Sequence, residues 1–245
     1  PWDHAGTRTP RAEVGGLTFG KASLLDMNAL HKAWYDWTMK AGAKPEFLKD
    51  RVAYYVVGEE AWRYAPTLDA VTASTRTLYL DSVQSRANGV FASGSLTSEG
   101  PGRGAADSFV FDPLDEGAMW LANQESSPQD LVDQRYDLAP EAVGLVYHTA
   151  PFEQAVDVAG HFRLTAYIEL DRPDADLQVA IHEIKVDGSN VLLTSDAMRA
   201  RYRNSLREGT LVEPGKVEPY RFHSFDFTAR RIERGSRLRL VIAPI

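Results

Sequence analysis

From Phe162 onward apolar and polar side chains alternate strictly. Phe162, Leu164, Ala166, Ile168 and Leu170 take one set of positions, and Arg163, Thr165, Tyr167, Glu169 and Asp171 take the other. A two-residue period puts the sets on opposite faces of a strand with one face buried. An Arg-Pro-Asp-Ala-Asp break of turn-forming type follows, and the alternation resumes at Leu177, Val179 and Ile181. The next large apolar residues, Ile184 and Val186, are out of phase. Because a one-residue slip would expose the whole apolar set, the pattern predicts a β-bulge near His182-Glu183. Asp187-Gly188-Ser189-Asn190 has hairpin-turn composition. Beyond Val191-Leu192-Leu193, Met198, Ala200 and Tyr202 alternate with Arg199, Arg201 and Arg203. The stretch from Gly144 to Arg203 is therefore expected to be the middle of an antiparallel β-sandwich.

Elsewhere the pattern is mixed. The first twenty residues hold two prolines and four glycines without a sustained period and are loop-like. Met27, Leu30, Trp34 and Trp37 then recur at spacings of three and four, which predicts a helix of about five turns. Ser23 is the expected N-cap, Asp26 suits the first turn, Lys40 suits the C-terminal dipole and Gly42 can end the helix. Lys44-Pro45 marks a candidate domain boundary. Arg51–Val57, Thr77–Leu80, Ser108–Phe111, Tyr220–Phe222, Phe225–Phe227 and Arg237–Ile242 are further expected strands, with 94–104 a Gly/Ser/Pro-rich loop and 115–140 polar and irregular. Many short strands separated by turn signals fit a sandwich or jelly roll rather than a parallel sheet. The initial loop and helix fit less well and look like the end of a preceding α/β unit.

Composition narrows the function classes. The chain has 245 residues, 44% of them hydrophobic, so a proper core is within reach and disorder is not expected. A formal charge of −7 argues against a general nucleic-acid or anionic-membrane binder. With no cysteine, a disulfide framework, a thiolate metal site and a cysteine nucleophile are excluded. The same composition suits the cytosol or the periplasm and leaves the compartment undetermined. No apolar run approaches the ~18 residues of a membrane span, and no signal peptide is visible. The start at Pro1 without methionine suggests a fragment.

Candidate chemistry is sparse. His4 lies in Pro1-Trp2-Asp3-His4, followed by a glycine-rich loop and the expected helix, which is the layout of the histidine loop that comes last in the Ser…Asp/Glu…His order of α/β-hydrolases. No G-x-S-x-G occurs, and Ser93-Gly94-Ser95 lacks the strand–elbow–helix context, so serine and acid are expected upstream. His31, His148, His161, His182 and His223 show no metal-ligand spacing and are expected to be structural. Asp171, Asp174, Asp176 and Asp187 lack a calcium-loop pattern and fit turn chemistry, so no metal or other cofactor is expected. Arg199, Arg201 and Arg203 would form a basic stripe on a strand, paired with carboxylates or keeping that face soluble. Trp62 and Trp120 could stack on sugars in a carbohydrate-binding sandwich, although isolated tryptophans are more often core or interface residues.

Taken in order, several segments resemble the C-terminal part of the CocE/NonD family of serine hydrolases, which includes cocaine esterase, α-amino-acid ester hydrolases, glutaryl-7-aminocephalosporanic acid acylases and X-Pro dipeptidyl-peptidases. They are Pro1-Trp2-Asp3-His4, His31–Asp36, Val56–Arg63, Asp112-Pro113, Asp133-Gln134-Arg135 and Met198–Arg203. The resemblance implies a mainly β fold: an antiparallel jelly-roll β-sandwich of galactose-binding-like shape over residues 49–245, truncated at its end. Residues 1–48 would be the histidine loop and last helix of an α/β-hydrolase catalytic domain. By match to the motif His4 is the triad histidine. The implied partners are the upstream hydrolase domain of the same chain and a small ester, amide or peptide substrate, with no nucleic acid and no membrane, and this chain alone is expected to be inactive. A rival reading is a free-standing carbohydrate-binding β-sandwich. A third gives the sandwich a structural role, covering the catalytic domain and helping subunits associate as a homo-oligomer.

Overall fold

The computed structural model describes residues 1–2, 6–83, 85–100, 106–112, 114, 131–134 and 144–245. A loop, the minimal hairpin β1 (Glu13–Val14) and β2 (Leu17–Thr18), and the helix α1 (Met27–Lys40) come first. The hairpin β3 (Val52–Val56) and β4 (Ala61–Ala65) follows, then β5 (Tyr79–Asp81), β6 (Gly94–Thr97), β7 (Leu145–Thr149), β8 (Val156–Gly160) and β9 (Leu164–Glu169). The chain continues through β10 (Asp176–Ile184), β11 (Asn190–Arg199), β12 (Val217–Phe222), β13 (Thr228–Ile232) and β14 (Arg237–Pro244). The fold is a β-sandwich with a loop and a helix in front of it.

One layer, among the described residues, is a six-stranded sheet in the order β11-β10-β14-β7-β6-β5, antiparallel except for the β6–β7 pair. The opposite layer contains the antiparallel pairs β9–β12 and β8–β13, and Val57 bridges to Arg230 to bring the β3–β4 hairpin alongside β13. The two layers meet in a core of Leu177, Val179 and Ile181 from β10, Leu240 and Ile242 from β14, and Tyr220 and Phe222 from β12. Each such side chain contributes about 1.5–3 kcal/mol on burial. Gly94 is needed in β6 because a Cβ there would come within 2.4 Å of the Tyr147 ring. That buried ring covers the strand and donates its hydroxyl to Asp107 Oδ2 (2.6 Å). Pro219 is tolerated because β12 is bonded on one side only among the described residues.

The alternation from Phe162 to Leu170 matches the burial pattern, with exposed residues at every odd position between them. The expected irregularity near His182 is present but sits on the partner strand. Ile181 pairs with Thr194 and His182 with Leu192, which leaves Leu193 of β11 as the extra residue. β10 itself runs in unbroken register along β14. Ile184 reads as out of phase because both faces of β10 are buried at that end, the inner one at Glu183 and the outer one at His182 and Ile184.

Other expectations are corrected. Asp26, not Ser23, caps α1, its Oδ1 accepting from the Ala29 amide (2.9 Å); Ser23 ends a short 3₁₀ turn and donates its hydroxyl to Gly20 O (2.7 Å). The helix has 14 residues, shorter than five turns, and closes with Ala41 in the left-handed region and Gly42 N–H on Asp36 O (2.9 Å). Ser108–Phe111 and Phe225–Phe227 are not strands, and the last strand of the second layer starts instead at Thr228. Gly94–Thr97, expected as loop, is β6. The basic stripe does not form: β11 ends at Arg199 and a 3₁₀ turn over Ala200–Tyr202 redirects Arg201 and Arg203.

Candidate functional site

His4 and its neighbours Asp3 and Ala5 lie outside the described residues. The segment that carries them is nevertheless held at several points. The Arg11 amide donates to Pro1 O (2.9 Å), and His4 falls between these two residues in sequence. β1 and β2 follow, and the Phe19 amide returns to Ala12 O (2.8 Å). At the hairpin turn Gly15 O accepts from Leu131 N (3.0 Å), while Leu131 O accepts from Leu192 N of the edge strand β11 (2.7 Å). Residues 131–134 thus strap the turn to the sandwich and cover an otherwise open sheet edge.

The firmest attachment is Glu60. Its Oε2 accepts from the Gly20 amide and from the Tyr55 hydroxyl (2.7 Å), and its Oε1 accepts from Gly58 N–H (2.9 Å). Burial works against the charge on Glu60, but the bonds from Tyr55, Gly58 and Gly20, with Arg230 nearby, outweigh it and hold the carboxyl below its usual range. Burial and the same carboxylate push the Tyr55 hydroxyl up to about 12. Glu60 reaches this position with φ 58°, at the corner between β3 and β4. Trp62 adds a second tie by donating its indole N–H to Ala22 O (2.7 Å), and its ring meets Phe47 and Tyr55 edge-on at 4.8 and 5.4 Å.

The hairpin that bears Glu60 is itself fastened by charge. Asp157 of β8 accepts from Arg63 (2.6 Å) and twice from Arg231 of β13 (2.7 and 3.1 Å). Glu59 pairs with both arginines. Hydrogen bonding from Arg231, then from Arg63, overcomes burial and brings the Asp157 carboxyl down to about 2. Deeper, Arg230 of β13 donates from Nε to Glu183 of β10 (2.5 Å), and both side chains are removed from water. Beyond the Gly20 amide, the Glu60 carboxylate lies within the electrostatic reach of Arg230, which pairs with Glu183 of the opposite sheet.

The remaining candidates have structural partners. His148 Nε2 accepts from Arg239 Nε (2.9 Å), His161 Nδ1 meets Phe225 O (2.9 Å), His182 Nδ1 meets Asn190 Oδ1 (2.9 Å) and His223 Nδ1 meets Arg221 O (3.0 Å). His31 lies on α1. Asp174 takes Arg199 and Arg201 (2.7 and 2.6 Å), Arg203 pairs with Glu218 (2.7 Å), and Asp187 caps its own turn through Ser189. No group of three metal-ligating side chains forms among the described residues. Trp120 lies outside them, and the Trp62 indole is engaged as above. A cleft of about 3990 Å³ is lined by side chains packed against the core, among them Leu80, Leu96, Phe109 and Leu164, and is the gap between the layers rather than a built ligand site. No helix among the described residues is long and apolar enough to cross a membrane.

Glu60 and Tyr55 fall within Val56–Arg63 and Arg51–Val57, but sequence reasoning assigns neither side chain a role. The available signal was an acidic pair directly after Gly58, at a corner between two aromatic-rich strands.

The chain is similar to known proteins in sequence and fold. Residues 37–243 match the family described as the X-Pro dipeptidyl-peptidase C-terminal non-catalytic domain. Cocaine esterase from Rhodococcus sp. (strain MB1 Bresler) is 24% identical over 227 residues, covering 89% of this chain and 38% of the esterase. An aminopeptidase from the marine sediment archaeon Thaumarchaeota archaeon superposes over 100% of this chain and 41% of its own with a TM-score of 0.76 at 22% identity. An α-amino acid ester hydrolase does so over 100% and 41% with a TM-score of 0.68 at 20% identity. The chain thus spans about two fifths of the proteins it matches. It belongs to the X-Pro dipeptidyl-peptidase C-terminal non-catalytic domain family, the C-terminal domain type of the CocE/NonD hydrolases.

Proposed function

We propose that this chain is the C-terminal region of a longer serine hydrolase that cleaves ester or amide bonds, and that it supplies the triad histidine, His4, together with the sandwich that holds it. In this reading residues 1–48 complete an α/β-hydrolase catalytic domain, and residues 49–245 form a jelly-roll sandwich of galactose-binding-like shape. The serine and its acid come from the upstream domain. His4 takes the proton from the serine hydroxyl as it attacks the carbonyl, then delivers it to the leaving alcohol or amine, oriented throughout by the acid. The sandwich brings no reacting group.

The observation that carries the proposal is the match over residues 37–243 to a domain family of hydrolases, with the His4-bearing segment immediately before it and tied to it at Gly15, Gly20 and Ala22. The test is ester and X-Pro dipeptide hydrolysis by the longer enzyme and by residues 1–245 alone. The longer enzyme should be active and the shorter chain inactive. His4→Ala in the longer enzyme should lower kcat by at least about 10³-fold. Wild-type rates in that variant, or turnover by residues 1–245 alone, would overturn the reading.

A further inference from the structure

We propose that Asn88 is a site of spontaneous deamidation, at which the protein converts with age to aspartyl and isoaspartyl forms. The reaction needs neither His4 nor an upstream domain, so it stands apart from the hydrolase reading. Asn88 is the one asparagine of the chain followed by glycine, the successor that least hinders attack by its own backbone nitrogen. It lies exposed in the bend between β5 and a 3₁₀ turn at Val90–Ala92. Among the described residues no hydrogen bond engages its side chain or the Gly89 amide, and a Cβ at Gly89 would meet nothing within 4 Å.

Other positions of similar sequence are protected. Asp187-Gly188 could close the same ring with loss of water, but the Gly188 amide donates to Lys185 O (3.0 Å). Asp187 Oδ1 in turn accepts from the Ser189 amide (2.9 Å) and hydroxyl (2.6 Å). After Asn28, the Ala29 amide is taken by Asp26 Oδ1 (2.9 Å), and Asn190 is 1% exposed. Asn204 is exposed, but it precedes serine, whose side chain crowds the attack.

In the reaction the Gly89 nitrogen gives up its proton through water and attacks Asn88 Cγ. The new N–Cγ bond closes a cyclic imide as the Cγ–Nδ2 bond breaks, and Nδ2 takes up that proton and leaves as ammonia. Water then opens the ring, its hydroxyl adding to one imide carbonyl and its hydrogen returning to the nitrogen. Addition at Cγ yields aspartate. Addition at the Asn88 backbone carbonyl yields isoaspartate, with the main chain rerouted through Cγ. Either product adds one negative charge to the formal −7. The isoaspartyl form also lengthens the backbone beside Ala87, which is 0% exposed, holds φ 50° and accepts the Val146 amide of β7 (2.6 Å). A non-glycine residue in that conformation persists because its surroundings hold it, so an added methylene next to it loosens the anchor of β7.

Ageing the full-length protein in water enriched in heavy oxygen, at neutral to mildly alkaline pH, tests this by peptide mass spectrometry. Cleavage after Arg86 and Arg103 releases a peptide, 87–103, in which Asn88 is the sole amide side chain. That peptide should gain one heavy oxygen and divide into aspartyl and isoaspartyl species, which electron-transfer fragmentation separates. Asp187 should stay unlabelled and aspartyl. Asn88→Gln, whose longer side chain closes the ring far less readily, should abolish the conversion. The urea midpoint should fall on ageing in the wild type and hold in Asn88→Gln. Fresh Asn88→Asp carries the charge without the rerouted backbone and should keep the midpoint of fresh wild type. A peptide 87–103 that stays unlabelled in the folded protein and is labelled only in urea would overturn the proposal, because the fold would then protect Asn88. Labelling of Asp187 as fast as Asn88 would overturn the selection by hydrogen bonding. Labelling of Asn88 with an unchanged midpoint would uphold the site and overturn the loosening of β7.

Discussion

Strand β10 and helix α1 both carry regular apolar patterns, yet they end in opposite environments. In β10, Leu177 and Val179 are 3% and 0% exposed, packed against β14 and the second layer. In α1 no residue is buried among the described residues: Met27, Leu30 and Trp37 of the stripe are only half-buried and Trp34 is 44% exposed. Periodicity reports that a face is suited to burial; it does not report what does the burying. For β10 the covering strands lie in the same chain. The helix keeps its shape by other means: the Asp26 cap, worth about 1 kcal/mol, and the pairs of Asp36 with Lys32 and Lys40 at 2.7 and 2.9 Å.

The largest effect should come from the buried ion pair that links the layers. Glu183→Ala leaves Arg230 charged and unpaired in the core and is expected to cost about 3–5 kcal/mol in urea unfolding. Replacing both residues with apolar ones of similar volume should cost far less, because no charge is left stranded. Equal costs for the single and double changes would show that the layers are joined by packing alone.

A smaller effect concerns the outer face of the six-stranded sheet. There His148 lies between Ser95 and Arg239 in register, with His182 beyond Arg239. Burial first, and then Arg239 and Arg237, push its imidazole down to about 4. The unfolded chain therefore takes up this proton before the folded one does. The stabilising effect of neutral His148 is complete above about pH 6.5 and is lost as pH falls from there to about 4. The urea midpoint should fall over that interval, and it should fall less in His148→Gln. An identical fall in both proteins would assign the acid sensitivity to other groups. α1 has no comparable buried base among its described residues, so its helicity should not follow the same curve.

Much of the sandwich was legible in the sequence because antiparallel strands with one dry face write their burial as alternation, as Phe162–Leu170 and Arg237–Ile242 do. The strands that escaped notice lack that signature. β13 buries Thr228 and Arg230 at positions where an apolar residue would have marked the face, and β6 opens with a glycine that makes room for a ring from β7. The bulge was placed correctly along the chain and on the wrong strand, since a break in pattern cannot distinguish an extra residue from a second buried face. At the candidate site, His4 was singled out from its place ahead of a helix in sequence and from the resemblance, and it lies outside the described residues. Glu60 was not singled out, because its partner Gly20 lies 40 residues earlier and a backbone amide leaves no mark on sequence.

The finest test asks whether the exposed face of α1 is exposed by nature or by the absence of a cover. Trp34 meets Trp37 edge-on at 5.3 Å and is 44% exposed. In the 245-residue chain Trp34→Ala should therefore change the free energy of unfolding by no more than about 0.5 kcal/mol, as for other surface substitutions. If the proposed catalytic domain packs on this helix, the same substitution in the longer enzyme removes a buried indole and should cost about 3–5 kcal/mol. The informative quantity is the difference between the two measurements, because helix propensity and the loss of the Trp37 contact are common to both and cancel. A large difference makes α1 the counterpart of β10, with its covering surface in another domain. A difference near zero leaves the two regions unlike in kind, and the helix then owes its apolar stripe to something other than the hydrolase.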